Sequence, residues 1–198
     1  MPLLDILTRA LAAQDPDATR HAARVAALAE ILARRLGWRE VETLRLGGAV
    51  HDVGKLAVPQ RLLMKRTALT PSETARIREH PRVGARLLAP ITHVRPALPY
   101  VLFHHERWDG DGYPTGRGGA EIPIGARVLA VVDAFDAMTS DRPYRRALPA
   151  EAAVDEVARC AGGQFDPIVA RVFVDAWLKG EIGSPGQARR RLIFASGV

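Results

Sequence analysis

From Ala18 to Leu36 the apolar residues Val25, Leu28, Ala29, Leu32 and Leu36 recur at spacings of three and four. That rhythm predicts an amphipathic helix with one buried stripe, and Gly37 follows as a candidate C-cap. Val41, Leu44, Leu46 and Ala49 predict a second helix over about 39–51, ending near His51-Asp52 before Gly54 and Pro59 break the pattern. Thr70-Pro71-Ser72-Glu73 reads as a helix start, with a hydroxyl cap, proline at the first position and an acid in the first turn. This helix is expected to run until Pro81 interrupts it, the pattern resuming at Val83, Leu87 and Leu88. Residues 96–105 predict another apolar helix, ending in the pair His104-His105.

The stretch 106–123 holds five glycines and two prolines and is read as a loop. From about 124 to 139 a helix carries Val128, Leu129, Val131, Val132, Phe135 and Met138, with Asp133 and Asp136 embedded among them. Helices over about 149–161 and 167–179, the second capped by Asp166, and a short one around 2–13 complete the pattern. No convincing strand alternation and no internal repeat is present. The expected fold class is all-α, a single-domain helical bundle with a Gly/Pro-rich loop.

Composition narrows the function classes. At 198 residues, 47% hydrophobic and 25% charged, the chain suits one soluble domain. No apolar run approaches a membrane span, and Met1-Pro2-Leu3-Leu4-Asp5 lacks the basic start of a signal peptide, so the cytoplasm is the expected compartment. A lone Cys160 excludes an internal disulfide framework. The net charge of +6 comes from dispersed arginine, only Lys55, Lys65 and Lys179 being lysine, so no polymeric nucleic acid is expected as a partner.

The candidate chemistry lies in the histidines and acids. Adjacent His51-Asp52 and His104-His105 suit first-row transition metals, which take neutral nitrogen and anionic oxygen in one shell. His21 lies four before Val25 and faces inward if that stripe does, and Asp17, a turn earlier, would point at the same place. At a helix end the backbone can splay and let His51 and Asp52 reach one ion. Asp133 on so apolar a helix would be costly unless a cation offset it. Lys55, three residues after Asp52, is expected to point back at the site.

These residues stand in an ordered set: Asp15-Pro16-Asp17 before His21, His51-Asp52-Val53-Gly54-Lys55, His80-Pro81, His104-His105-Glu106, Gly112-Tyr113-Pro114, Asp133 to Ser140, and Arg142-Pro143-Tyr144-Arg145. The set resembles the HD-GYP branch of the HD-superfamily phosphohydrolases over roughly 15–177. The resemblance implies a catalytic domain over 15–179, between a short N-terminal helix (1–14) and a basic tail (180–198) that contains Arg189-Arg190-Arg191. It implies two or three divalent transition-metal ions, with Fe or Mn favoured and Co, Ni or Zn admissible, on His21, His51, Asp52, His80, His104, His105 and Asp133. Asp52 would bridge two ions, and Asp17 stands where members with a third metal tend to have Glu. Asp15, Tyr113, Pro114, Arg142 and Arg145 would contact substrate. One departure is Lys65-Arg66-Thr67, where many members read Lys-Pro-Gly, and it is expected to alter a loop and leave the ligands intact.

The implied activity is hydrolysis of cyclic di-GMP to linear pGpG or GMP by a metal-held hydroxide, with Asp52 and Lys55 as catalytic residues. Implied protein partners are diguanylate cyclases of the GGDEF type, or other signalling proteins, through the GYP loop. Two other classes stay open: a phosphohydrolase of another nucleotide, and a non-catalytic nucleotide- or partner-binding module. Tyr113 either stacks on guanine or fixes the loop, Trp108 is open between a functional role in that loop and a packing anchor, Asp136 reads as a cap or a partner of nearby backbone, and Asp166 and His93 as structural.

Overall fold

The apolar helix Ile124–Thr139 runs through the main core of the protein. The computed structural model describes residues 2–15, 17–141 and 146–183; Arg142, Arg145 and the Arg189–Arg191 cluster lie outside them. In chain order the α-helices are α1 (Leu3–Gln14), α2 (Ala18–Arg35), α3 (Val41–Val50), α4 (Gln60–Leu63), α5 (Pro71–Arg78), α6 (His80–Leu88), α7 (Leu98–Phe103), α8 (Ile124–Thr139), α9 (Ala150–Arg159) and α10 (Pro167–Leu178). No β-strand occurs among the described residues, where an isolated bridge joins Ala161 to Phe165. No helix among them is long and apolar enough to cross a membrane.

The stripe of α2 is buried as its spacing predicts, with Val25, Ala29 and Leu32 fully enclosed, and Gly37 leaves the helix at φ 65°. It packs on α3 and α8, and α9 and α10 close the main core around Phe135 and Phe173. A smaller core of Leu7, Val50, Val53, Leu88, Val94 and Val101 sits under α1, α6 and α7. Gln14 at the end of α1 donates to the carbonyls of Val58 (2.7 Å) and Lys55 (3.3 Å), which ties that helix to the turn after His51-Asp52.

Two boundaries differ from the sequence reading, each for a local reason. The helix begun at Thr70, whose side chain and Glu73 form a reciprocal capping box, does not run to Pro81. It ends at Arg78, and Pro81 falls in the first turn of α6, where a missing N–H costs nothing. The helix expected over 96–105 is a 3₁₀ turn, Thr92–Ala97, followed by the short α7, because Pro96 and Pro99 each remove a donor. After α3 the chain continues through His51-Asp52 into a 3₁₀ turn, Val53–Ala57, and α4 is an element the pattern did not reveal.

Gly54 makes that turn possible. A Cβ there would lie 1.9 Å from the carbonyl oxygen of His80 and 2.5 Å from the nitrogen of Gly84. The Asp52–Lys55 turn therefore rests directly on the backbone of α6. Gly54→Ala should force the two apart and destabilise the fold by about 1–3 kcal/mol, the usual cost of overpacking. Denaturant unfolding checks this, and an unchanged midpoint would show that the contact is not restrictive.

Candidate metal centre

Three helix ends each deliver an imidazole in the same way. At the end of α3, His51 Nδ1 lies 2.7 Å from the Gly48 carbonyl; at the break between α5 and α6, His80 Nδ1 lies 2.8 Å from Ile77 O; after α7, His104 Nδ1 lies 2.7 Å from Val101 O. Carbonyls in the last turn of a helix lack an intrahelical partner, so they are free to accept an imidazole N–H. With Nδ1 protonated and engaged, Nε2 carries a lone pair, the form a metal requires. His21 is oriented differently, its Nδ1 lying 2.7 Å from Asp136 Oδ2.

The four Nε2 atoms converge around Asp52. His21 Nε2 lies 3.2 Å from His51 Nε2 and 3.2 Å from Asp133 Oδ1. Asp52 Oδ2 lies 3.6 Å and 3.5 Å from these two imidazoles. On the opposite side, Asp52 Oδ1 lies 3.4 Å from His80 Nε2, which is itself 3.4 Å from His104 Nε2, with His105 completing a second group. Ligand bonds of about 2.0–2.2 Å leave neighbouring donor atoms roughly 3.0–3.5 Å apart. The spacing found here is therefore that of two coordination shells sharing one carboxylate.

The donor chemistry fits a metal for a second reason. Lone pairs and carboxylate oxygens face one another in a buried space, and that arrangement is unfavourable without a cation between them. Burial alone would raise Asp52 and Asp133, but Lys55 and His51 around the first, and His21 and His51 around the second, hold both well below the usual carboxylate range. Burial lowers His80 and His104 and pushes His105 down to about 3, so these rings are neutral. His21 goes the other way: burial opposes its charge, yet Asp133, Asp136 and Asp52 lift it to about 11. A proton on its Nε2 and a metal ion would compete for the same position.

Lys55 Nζ lies 2.5 Å from Asp52 Oδ2, at the edge of the cluster. Beside His104 and His105 opens a cleft of about 310 Å³, which these two line together with Arg78, Tyr113, Asp133 and Gln164 among others. Tyr113 stacks on His105 with ring centres 4.8 Å apart and donates its N–H to His105 O, and Pro114 O accepts from Arg82. Gly112 allows this, since a Cβ there would meet the backbone of Arg107 at 2.3 Å.

Not every expected residue joins. Asp17 and His21 line one open cavity, as their spacing predicts, but the Asp17 carboxylate is exposed and paired with Arg20 and is not among the residues of the imidazole cluster. Asp15 accepts the N–H of Asp17. Asp136, read from the sequence as a partner of nearby backbone, instead binds His21 and a fork from Arg24, since α8 places it one turn from Asp133. Asp166 caps α10 and binds Arg127, and Trp108 lies under that arginine, both packing roles. Lys65, in the departing loop, pairs with Glu73 of the capping box.

A family model described as the HD domain matches residues 5–169. The chain belongs to the HD domain family. Its resemblance to the HD-GYP branch is supported by a protein named cyclic di-GMP phosphodiesterase from Thermotoga maritima, 37% identical over 178 residues, 87% of this chain and 48% of the relative. A second so named, from Pseudomonas aeruginosa, is 43% identical over 159 residues, 79% of this chain and 38% of the relative. The chain thus spans about half the length, or less, of these curated relatives. Among solved structures, an HDG"Y"P protein from Bdellovibrio bacteriovorus superposes with a TM-score of 0.66 at 21% identity, over 81% of this chain and 52% of that one, a likeness of fold.

Within this HD domain two residues near the cluster had no role assigned from the sequence. Glu106 is buried and accepts from Thr115 N and Oγ1, both at 2.6 Å, and from Gly116 N at 3.0 Å, so it holds the GYP loop from within. Arg78 lies over the Tyr113 ring at 5.1 Å and lines the cleft. The HD domain's dependence on Asp52 is testable directly. Asp52→Ala should lower metal content at both groups, while His80→Ala should spare the His21–His51 group. Elemental analysis of purified variants reads this, and full metal content in Asp52→Ala would remove the shared-ligand assignment.

Proposed function

We propose that this HD domain is a cytoplasmic phosphodiesterase that hydrolyses cyclic di-GMP to linear pGpG or GMP at a two-metal centre, with Fe or Mn the favoured ions. The observation that carries the reading is Asp52, whose two oxygens face two separate imidazole groups. An imidazole–carboxylate shell suits Fe and Mn. Two ions held there would lower the pKa of water and neutralise charge on a phosphoryl group.

The chain's own residues define what such a site accepts. Arg78 and Arg107 bring cations to the cleft, Glu106, Asp111 and Asp133 bring carboxylates, and Lys55 pairs with Asp52 at the imidazole cluster. An anionic ester lying across the cleft would meet Arg78 and set a phosphate toward Asp52. The cleft is near the lower end of the ~300–1,000 Å³ range of ligand pockets, so a dinucleotide would extend beyond it over the GYP loop. Tyr113 already stacks on His105, which favours a loop-fixing role for it. Lys55, drawn to Asp52 here, is the compact cation best placed to meet a phosphoryl or leaving oxygen.

Metal-loaded protein incubated with cyclic di-GMP should give pGpG or GMP on chromatography. Absence of turnover on cyclic di-GMP and on other cyclic dinucleotides, with both ions bound, would favour a non-catalytic binding module. Lys55→Ala should keep its metal and lose roughly 100- to 1,000-fold in kcat, the scale of one removed electrostatic stabiliser. Loss of metal in that variant would instead make Lys55 architectural.

A further inference from the structure

We propose that Asp136 and Arg24 form a positioning pair that fixes His21 as a ligand, so that the ion held with His51 and Asp133 depends on them and the ion held by His80, His104 and His105 does not. The inference rests on the two-metal reading above and concerns what makes the two positions unequal.

His21 is set apart from the other imidazoles by where it sits. His51, His80 and His104 stand at helix ends and use carbonyls three residues back. His21 lies inside α2, where the preceding carbonyls already accept helical N–H groups, so only a side chain from elsewhere can orient its ring. Helix α8 supplies it. Asp133 and Asp136 are three apart on one face of α8, and they grip opposite nitrogens of the ring: Asp133 Oδ1 is 3.2 Å from Nε2 and Asp136 Oδ2 is 2.7 Å from Nδ1.

Arg24, one turn after His21 on α2, completes the arrangement. Its Nε donates to Asp136 Oδ1 at 2.5 Å and its Nη2 to Oδ2 at 2.9 Å, a two-point fork, and Nη2 also reaches Ser140 Oγ at 3.0 Å. Asp136 is 2% exposed, and Arg24 satisfies both of its oxygens while His21 contacts one of them, which offsets the cost of burying the carboxylate. An anionic acceptor on Nδ1 makes an imidazole a stronger metal ligand than a neutral carbonyl does. One position thus includes a ligand backed by a carboxylate that is itself held in place, whereas His80 and His104 in the other are backed through carbonyls.

The test uses the full chain loaded with Mn²⁺, comparing wild type with Asp136→Asn, Asp136→Ala, Arg24→Gln and Arg24→Lys. Ions per chain and the time course of their release to a chelator are the readouts, with circular dichroism and unfolding midpoint recorded beside them. Wild type should hold two ions. Asp136→Asn keeps size and an acceptor oxygen but loses the charge, and should weaken one ion by roughly 10- to 100-fold while leaving the other unchanged. Asp136→Ala should weaken the same ion further, Arg24→Gln should act in the same direction, and Arg24→Lys should restore part of the loss. A merely structural role would loosen both ions together or lower only the midpoint, and either result overturns the proposal, as does unchanged release from Asp136→Asn. A wild-type chain that binds no ion would overturn the metal-centre reading itself, a separate and recognisable outcome.

Discussion

The carboxylate of Asp52 faces two groups of imidazoles at once, one through each oxygen, and much of the bundle serves to keep it there. Its turn can lie between α3 and α6 because Gly54 has no side chain to hold it off the His80 carbonyl. The second group depends on the helix break at Glu79, which leaves His80 at the start of α6, and on the short α7, which ends just before His104. The first group depends on α2 and α8 meeting closely enough for His21 to lie between Asp133 and Asp136. Moving any of these elements would leave buried acceptors facing one another without a shared purpose.

Electrostatics explains why that convergence needs more than packing. Neutral imidazoles at His80, His104 and His105 and ionised carboxylates at Asp52 and Asp133 all offer electron pairs to one enclosed space. The protein supplies partial compensation through Lys55 and a protonated His21, both of which a divalent ion would displace from their contacts. Around this core the protein holds the surroundings fixed by other means: Glu106 stitches the GYP loop from inside, and Arg24 neutralises Asp136. The polar network is therefore ordered outward from the ligands, each layer satisfying the one within.

Much of the arrangement was legible in the sequence because it follows short-range rules. The stripes of α2 and α8, the capping box at Thr70 and the His51-Asp52 and His104-His105 pairs each declare themselves within a few residues. What stayed hidden needs distance information. Asp136 meets His21 across 115 positions, and no local pattern marks that contact, although its i+3 spacing from Asp133 on a buried helix was a usable hint. Asp17 was read correctly in direction, since it lines one cavity with His21, but the sequence did not show that Arg20 takes its carboxylate. The break at Glu79 was misplaced onto Pro81 because proline is tolerated in a first turn as readily as it ends a helix.

The central claim is that one carboxylate is shared by two ions. Anomalous diffraction from crystals of the metal-loaded protein measures it most directly. The account predicts two peaks about 3.5–4 Å apart, the spacing of two-metal sites. One should lie on the His21–His51–Asp133 side of Asp52 and the other on the His80–His104–His105 side. A single peak, or two peaks of which only one contacts Asp52, would contradict it.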